Sequence, residues 1–597
     1  MDDQNKNLIL ASVLSFAVIG VWYMLFPPEQ VQPVDPETAA VTQQTEVVTP
    51  QAATAGETVP AETVQTAEAP RIAIETPALN GSISLAGGRI DTLSLDRYRE
   101  TLDEGSPAVP LLSPVGSASP YYALYGWAPA GQLDSADVPG PNTVWQAGSN
   151  TTLTPTAPVE LTWDNGNGLT FTRTISVDED YMFSVKQTVT NATDAEVRML
   201  PYGIIARHGE PDQTNFFILH EGVVRQTDTE LAELSYEDMT DLDLVEREGA
   251  LAEVEDVQEN GWIGFTDKYW MTTLIPTPGQ PFTSVAKYVP GADIYQVETR
   301  LPIVSVPAGQ TAAVDTMLFA GAKEWETIKH YEEDTGIFRF DDSIDWGMFF
   351  FLTKPIFQAL HFLSGLIGNM GWSIIALTIL IKAVLFPLAY KSYVSMARMK
   401  ELQPEMEKIK ERAGDDRQKL QQEMMALYKS KKVNPASGCL PILLQIPIFF
   451  SLYKVIFVTI ELRHAPWFGW IRDLSAPDPS SIFNLFGILP FAAPELGAFQ
   501  FLSLGILPIL LGISMWLQQK LNPAPADPAQ AMIFAWMPWV FMFMLGNFAS
   551  GLVIYWIANN TITFSQQYLI MRSQGYTPDL LGNIKSGFKK TPKSESK

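Results

Sequence analysis

Residues 371–388, GWSIIALTILIKAVLFPL, decide how this chain is read, because they form an apolar run with Lys382 inside it. About 20 apolar residues cross the hydrocarbon core of a bilayer. A lysine near the centre of such a helix costs roughly 2.5–3.5 kcal/mol on insertion scales, so it is expected to face protein or water rather than lipid. Lys382 is therefore the first candidate functional residue. The plainer alternative is a lysine whose stem snorkels to the interface, six residues before Leu388.

Charge is unevenly spread around this stretch. Residues 29–345 hold 50 of the 66 acids but only 16 of the 40 bases, so the formal charge of -26 conceals an acidic region of -34 and a remainder of +8. Such an acidic region excludes direct nucleic-acid specificity there. The remainder, apolar between its charges, suits a membrane protein with basic loops. Cys439 is the only cysteine, so no intrachain disulfide can form.

Taken in order, residues 1–28 read as a transmembrane anchor. The apolar core 8–26 follows Lys6, runs straight into Pro27 and Pro28, and lacks the small-residue cleavage site of a signal peptide. Residues 29–70, rich in Pro, Thr, Ala, Gln, Val and Glu without aromatics, bury too little to offset chain entropy and read as a flexible linker. Residues 71–325 read as an all-β sandwich. After the DNGNG turn at 164–168, period-two alternation puts Leu169, Phe171, Ile175 and Val177 on one face, and it resumes at Phe183, Val185 and Val189. Charges interleaved with Leu and Val predict a helix over 229–257. His208, with Glu210 and Asp212 nearby, His220 and His330 are too scattered to read as an acid/base site.

Residues 326–365 contain an expected interfacial amphipathic helix over 345–363, bent near Pro355, with the start of a transmembrane helix as the alternative. Residues 366–572 form the expected five-helix core. Its spans are 371–388, 439–460, 501–518, 532–548 and 551–570, and none contains Asp or Glu. A hairpin at 391–432 carries eleven bases and seven acids, with Met- and Leu-rich stripes on both arms. Residues 573–597 are a basic tail. With the anchor's amino end inside, every basic cluster falls on one side, so hairpin and tail are expected in the cytoplasm and the β domain outside.

At about 1.5 Å per residue, Lys382 lies about 16 Å in from Gly371, near the midplane. Thr378 shares its face. Gln445, Ser514, Asn560 and Thr563 also fall in the inner half of their spans, whereas Tyr555 and Trp556 come early in the last one. Hydrogen bonding between helices explains one or two of these residues. The whole set, with a lysine that has no intramembrane acid to pair with, is expected to line a hydrated hollow open to the cytoplasm. Lys454, near the outer end of its span, is expected to snorkel outward. There is no GxxxxGK[ST] loop, no HExxH and no cysteine pair, so no cofactor, metal or catalytic residue is predicted.

The segments DWGMFFFLTKPIF, QKLQQEMMALYKSKKVNP, SGCLPILLQIPIF, ELRHAPWFGWIRDLS and SGLVIYW resemble the YidC/Oxa/Alb family of membrane protein insertases, in its Gram-negative form with a large periplasmic domain. The resemblance covers nearly the whole chain. It implies a β-supersandwich similar to sugar mutarotases, and a hydrophilic groove among five helices that moves transmembrane segments into the inner membrane, alone or with the Sec translocon. It also implies nascent membrane proteins, the Sec translocon, ribosomes reached through the hairpin and tail, and phospholipids as partners. The family's positive groove residue falls on Lys382, its groove threonine on Thr378 and its substrate-contacting tyrosine on Tyr555. Two departures stand out: Lys382 replaces the usual arginine, and Trp556 a common tyrosine. The competing readings are a small-solute transporter, which would need the inverted repeat and coupling acid absent here, and a membrane-anchored carbohydrate-binding or -modifying protein.

Overall fold

The computed structural model describes residues 69–214, 219–414, 416–431, 440–489, 502–522 and 528–575. The expected anchor, nearly all of the linker, Cys439 and the tail beyond Gly575 lie outside them.

The alternation at 169–191 sets the β domain. Strands Leu169–Val177 and Met182–Asn191 pair with Val177 opposite Phe183, Ile175 opposite Val185 and Phe171 opposite Val189, and all six side chains are buried. The turn before them closes as its composition predicts. Asn165 Oδ1 accepts the N–H groups of Asn167 and Leu169, while Gly166 and Gly168 take positive φ. These strands belong to a nine-stranded sheet. It runs from Leu231–Ser235 through Gly222–Gln226, Trp262–Thr266, Trp270–Pro276 and Thr311–Ala322 to Met182–Asn191, Leu169–Val177, Val159–Asp164 and Gln146–Ala147. A twelve-stranded sheet, centred on Tyr121–Ala130, Val197–His208 and Ile294–Arg300, packs against it. The result is a large two-sheet sandwich.

Strict alternation also turns Arg173 inward, where it staples the two sheets. Its guanidinium donates to the carbonyls of Gly87 at 3.1 Å, Gly88 at 3.0 Å and Tyr125, and stacks on Trp145. Burial pushes it down to about 10. Gly88, at φ 62°, is required there, since a Cβ would stand 2.4 Å from the guanidinium.

The helix expected over 229–257 is mostly strand. Leu231–Ser235 pairs with Gly222–Gln226 and Leu244–Val245 with Ala250–Val257 in short hairpins, Ala250–Val257 also pairs with the more distant Phe282–Val289, and only Tyr236–Thr240 forms a turn of helix, capped by the reciprocal Ser235–Asp238 bonds. Alternate burial of Ala250 and Ala252 and edge pairing outweigh local propensity here.

Residues 326–365 divide between two helices. The first, α1 (Trp325–Thr335), packs on the sandwich: Ile328 is buried, and Tyr331 donates to Asp178 at 2.6 Å. The second, α2 (Phe350–Ile367), contains Pro355 and ends at Gly368 with φ 74°, so it does not run on into the next helix. By length and composition α2 is the one described helix able to cross a membrane unaided.

The run 371–388 is not one straight span. Helix α3 (Met370–Val384) meets α4 (Phe386–Glu401) at a 69° bend, and only together are they long and apolar enough to cross. Pro387 is the cause, since it has no N–H to give and its ring crowds the carbonyl four residues back. Next come α5 (Gln403–Ala413) and α6 (Arg417–Lys431), the two arms of the hairpin, touching through Tyr428 on Met406 and Lys431 on Glu405. The remaining helices are α7 (Leu440–Val458), α8 (Ile506–Leu521), α9 (Pro528–Met544) and α10 (Ser550–Ser573). Helix α10 touches α3, α4, α7 and α8.

Candidate functional site

Three of the predicted residues meet at the carboxyl-terminal end of α3. Lys382, half-buried in the last turn, donates from Nζ to Gln445 Oε1 at 3.2 Å, and Gln445 Nε2 reaches the Tyr555 hydroxyl at 2.6 Å. The chain thus links α3, α7 and α10. Lys382 falls in the last turn of α3, the end of a helix where the macrodipole favours a cation. Among the described residues no carboxylate pairs with Lys382.

Other predicted residues fall into separate arrangements. Ser514 donates to the Leu511 carbonyl at 2.7 Å and accepts from Asn560 at 3.1 Å, both side chains being buried, so this pair holds α8 to α10. Further along, Gln567 donates to Asn522 at 3.1 Å. Thr378 is buried and returns its hydroxyl to the Ile374 carbonyl of its own helix at 2.7 Å. Thr563 is buried on α10 beyond Asn560. Trp556 joins Phe449 and Phe541 in an aromatic group, with ring centres 4.9 and 6.4 Å away. The polar set is therefore one half-buried cluster around Lys382 and a series of bonds between helices, with Thr378, Thr563 and Trp556 outside that cluster. Apolar side chains stand exposed on these helices, among them Ile379, Leu380 and Val384 on α3 and Met532, Ile533 and Trp536 on α9, as lipid-facing surfaces require.

Lys454 does not snorkel outward. It is 6% exposed and pairs with Asp345, whose carboxylate also accepts the backbone N–H groups of His220 at 3.0 Å and Gly347 at 3.2 Å. A charge that finds a buried counter-charge has no reason to reach for water. The sequence signal was present, an acid just before an apolar helix, but its partner lies 109 residues further on. Nearby, Arg463 donates to the carbonyls of Arg99 at 2.6 Å and Glu100 at 3.2 Å, and Lys268 stands 3.9 Å over the Phe457 ring, so the sandwich and helices share an extended junction.

The three histidines do not converge: His208 meets Tyr122, His220 the Val223 carbonyl and His330 Asp334. Among the described residues no group of three His, Cys, Asp or Glu side chains is placed to hold a metal ion.

Residues 71–359 match the family model described as the YidC periplasmic domain, and residues 362–576 the one described as a 60Kd inner membrane protein. The membrane protein insertase YidC of Dinoroseobacter shibae is 68% identical, with all of both chains covered. That of Cereibacter sphaeroides is 64% identical over all of this chain and 97% of its own, and that of Paracoccus denitrificans 59% over all of this chain and 99% of its own. By these matches the protein is an inner-membrane protein with a periplasmic domain, and at such identity over its full length the chain belongs to the YidC family of membrane protein insertases.

Proposed function

We propose that this protein moves transmembrane segments of nascent proteins into the bacterial inner membrane and assists their folding, alone or beside the Sec translocon. In this reading the chain is multi-pass, with the sandwich in the periplasm and the hairpin and carboxyl end in the cytoplasm. The hairpin and tail supply basic contacts for ribosomes and anionic lipid. The Lys382 cluster receives the polar part of an incoming segment while its apolar part moves into lipid, so the cost of transferring polar groups falls on a thinner barrier.

The observation that carries the reading is the contrast between two lysines. Lys454 is neutralised by Asp345, whereas Lys382 spends its bond on a neutral amide. Its positive charge is left for an acidic group on the substrate. Its bond to the Gln445 carbonyl lacks an opposite charge, and a substrate carboxylate supplies one, so the carboxylate displaces the Gln445 carbonyl.

The test is insertion of a single-span protein with an acidic leading segment into liposomes holding only this protein. Wild type is expected to insert best, Lys382→Ala less well and Lys382→Glu worst. Equal rates in all three would remove Lys382 from the mechanism, and an inert wild type would refute autonomous insertion.

A further inference from the structure

We infer that the ion pair of Lys454 with Asp345 is a positioning device for the Lys382 cluster, setting the rotation and depth of α7 so that Gln445 stays between Lys382 and Tyr555. This rests on the insertase reading above.

Asp345 is a fixed point. Its carboxylate is held by backbone N–H groups from two places, His220 at the edge of the sandwich and Gly347 in the approach to α2, and its side chain is 12% exposed. Gly347, at φ 70°, is what lets the chain pass so close. A Cβ there would stand 3.3 Å from the Lys454 Cε, in a backbone conformation that L residues rarely adopt. One turn before Lys454, Phe450 stacks on Phe349, with ring centres 6.4 Å apart. A single face of α7 is thereby pressed against the 345–349 approach.

Gln445 stands nine residues before Lys454. At 3.6 residues per turn that is two and a half turns, or about 13.5 Å along the axis and on the opposite side of the helix. A pin at Lys454 therefore aims Gln445 away from the junction, toward α3 and α10. Between them lies Pro447, which gives no N–H to the helix ladder and leaves α7 easier to bend there. Apolar contact at 450 would hold α7 in place but tolerate rotation. A buried ammonium with a fixed carboxylate does not, which is the register-setting use of buried ion pairs.

The experiment uses the full-length protein in liposomes with Lys454→Met, Lys454→Arg and Asp345→Asn, and two readouts. The first is insertion rate. The second, without substrate, is the yield of a short bifunctional maleimide joining Gln445→Cys to Tyr555→Cys in a Cys439→Ser background. Lys454→Met and Asp345→Asn are each expected to lower both on the order of tenfold, given that a ~1 Å misplacement of a working group can cost far more. Lys454→Arg, which keeps the charge, is expected to stay within about twofold of wild type on both. Asp345→Asn preserves side-chain shape and an acceptor for one of the two backbone N–H groups, so it remains informative if Lys454→Met does not fold. Wild-type cross-linking in both neutral variants would overturn the inference, as would Lys454→Met and Lys454→Arg behaving alike. An inert wild type would sink the insertase reading, while cross-linking still decides the pairing.

Discussion

Replacing Gln445 by leucine removes the middle of the Lys382–Gln445–Tyr555 chain while keeping the side chain's bulk. Tyr555 is 2% exposed, and its hydroxyl then loses its bond to Gln445. A buried polar group left without a partner costs about 1–3 kcal/mol. Lys382 loses less, because it is half-buried and can turn to water. Tyr555→Phe removes the other end and leaves an amide that is itself half-buried, for about 0.5–1.5 kcal/mol. In the double variant neither polar group remains to be left unpaired, so the loss should fall short of the sum of the singles by about 1 kcal/mol. Reversible unfolding in mixed detergent micelles, with all four proteins in one lot of detergent, measures this cycle. Strict additivity would mean that Gln445 and Tyr555 do not interact in the folded protein, and the geometry assigned to the site would be wrong. Insertion gives an independent check. Gln445→Leu keeps the charge of Lys382 and should retain more activity than Lys382→Ala.

Stability should depend on pH through the sandwich. Lys323 is buried beside Thr266 and is lowered by desolvation from 10.5 to about 8, and Lys268 moves the same way to about 8. Between about pH 8 and 10.5 the unfolded chain holds protons that the folded chain has released, so stability rises with pH across that window. The Lys323 share is no more than roughly 3 kcal/mol. The melting temperature of the full-length protein should climb from pH 7.5 to 9.5, and less steeply in Lys323→Met; a fall over that range in wild type would contradict the assignment. Gly371 opens α3 against Trp467, and a Cβ would stand 2.3 Å from the indole. Gly371→Val should therefore destabilise by about 1–3 kcal/mol, with Trp467→Ala relieving the defect in the same melting assay; a Gly371→Val protein that melts like wild type would show the contact to be loose.

Much of the sandwich could be read from the chain because burial on one face of a strand writes itself into every second residue. Leu169 to Val177 shows this down to Arg173, an inward position that alternation predicts whatever the residue type. The segment 229–257 was misread for the opposite reason. Its strands are short edge and near-edge members, only one of which pairs with a distant strand, and its charges are as compatible with a solvated strand as with a helix. The bend at Leu385 was announced by Pro387, yet hydropathy summed over a window does not register one missing N–H. Lys454 was misplaced because depth in an apolar run was taken to decide its fate, when a carboxylate brought in by another domain decides it. Of eight residues proposed for the site, Lys382, Gln445 and Tyr555 touch one another, and the sequence carried no mark separating them from Ser514 and Asn560.

That separation has a physical basis along α10. Tyr555, Asn560 and Gln567 lie within a broad stripe of one helix, and each is taken up by a different neighbour: Gln445 of α7, Ser514 of α8 and Asn522 just after it. These last two bonds start from the buried side chains of Asn560 and Gln567 and run from one helix to the next, so their work is to hold the helices together, at about 0.6 kcal/mol apiece in a membrane setting. At the first the half-buried groups are Lys382 and Gln445, which in the proposed mechanism meet the incoming chain. On that proposal the energies there suit transit rather than storage. The ammonium already makes a charge-assisted bond to Gln445, so what a carboxylate adds is the attraction of an opposite charge, about 1 kcal/mol for a hydrated pair ~4 Å apart. A substrate carboxylate thus gains on the order of 1 kcal/mol over Gln445, a bias sufficient to guide a polar segment inward and too small to keep it.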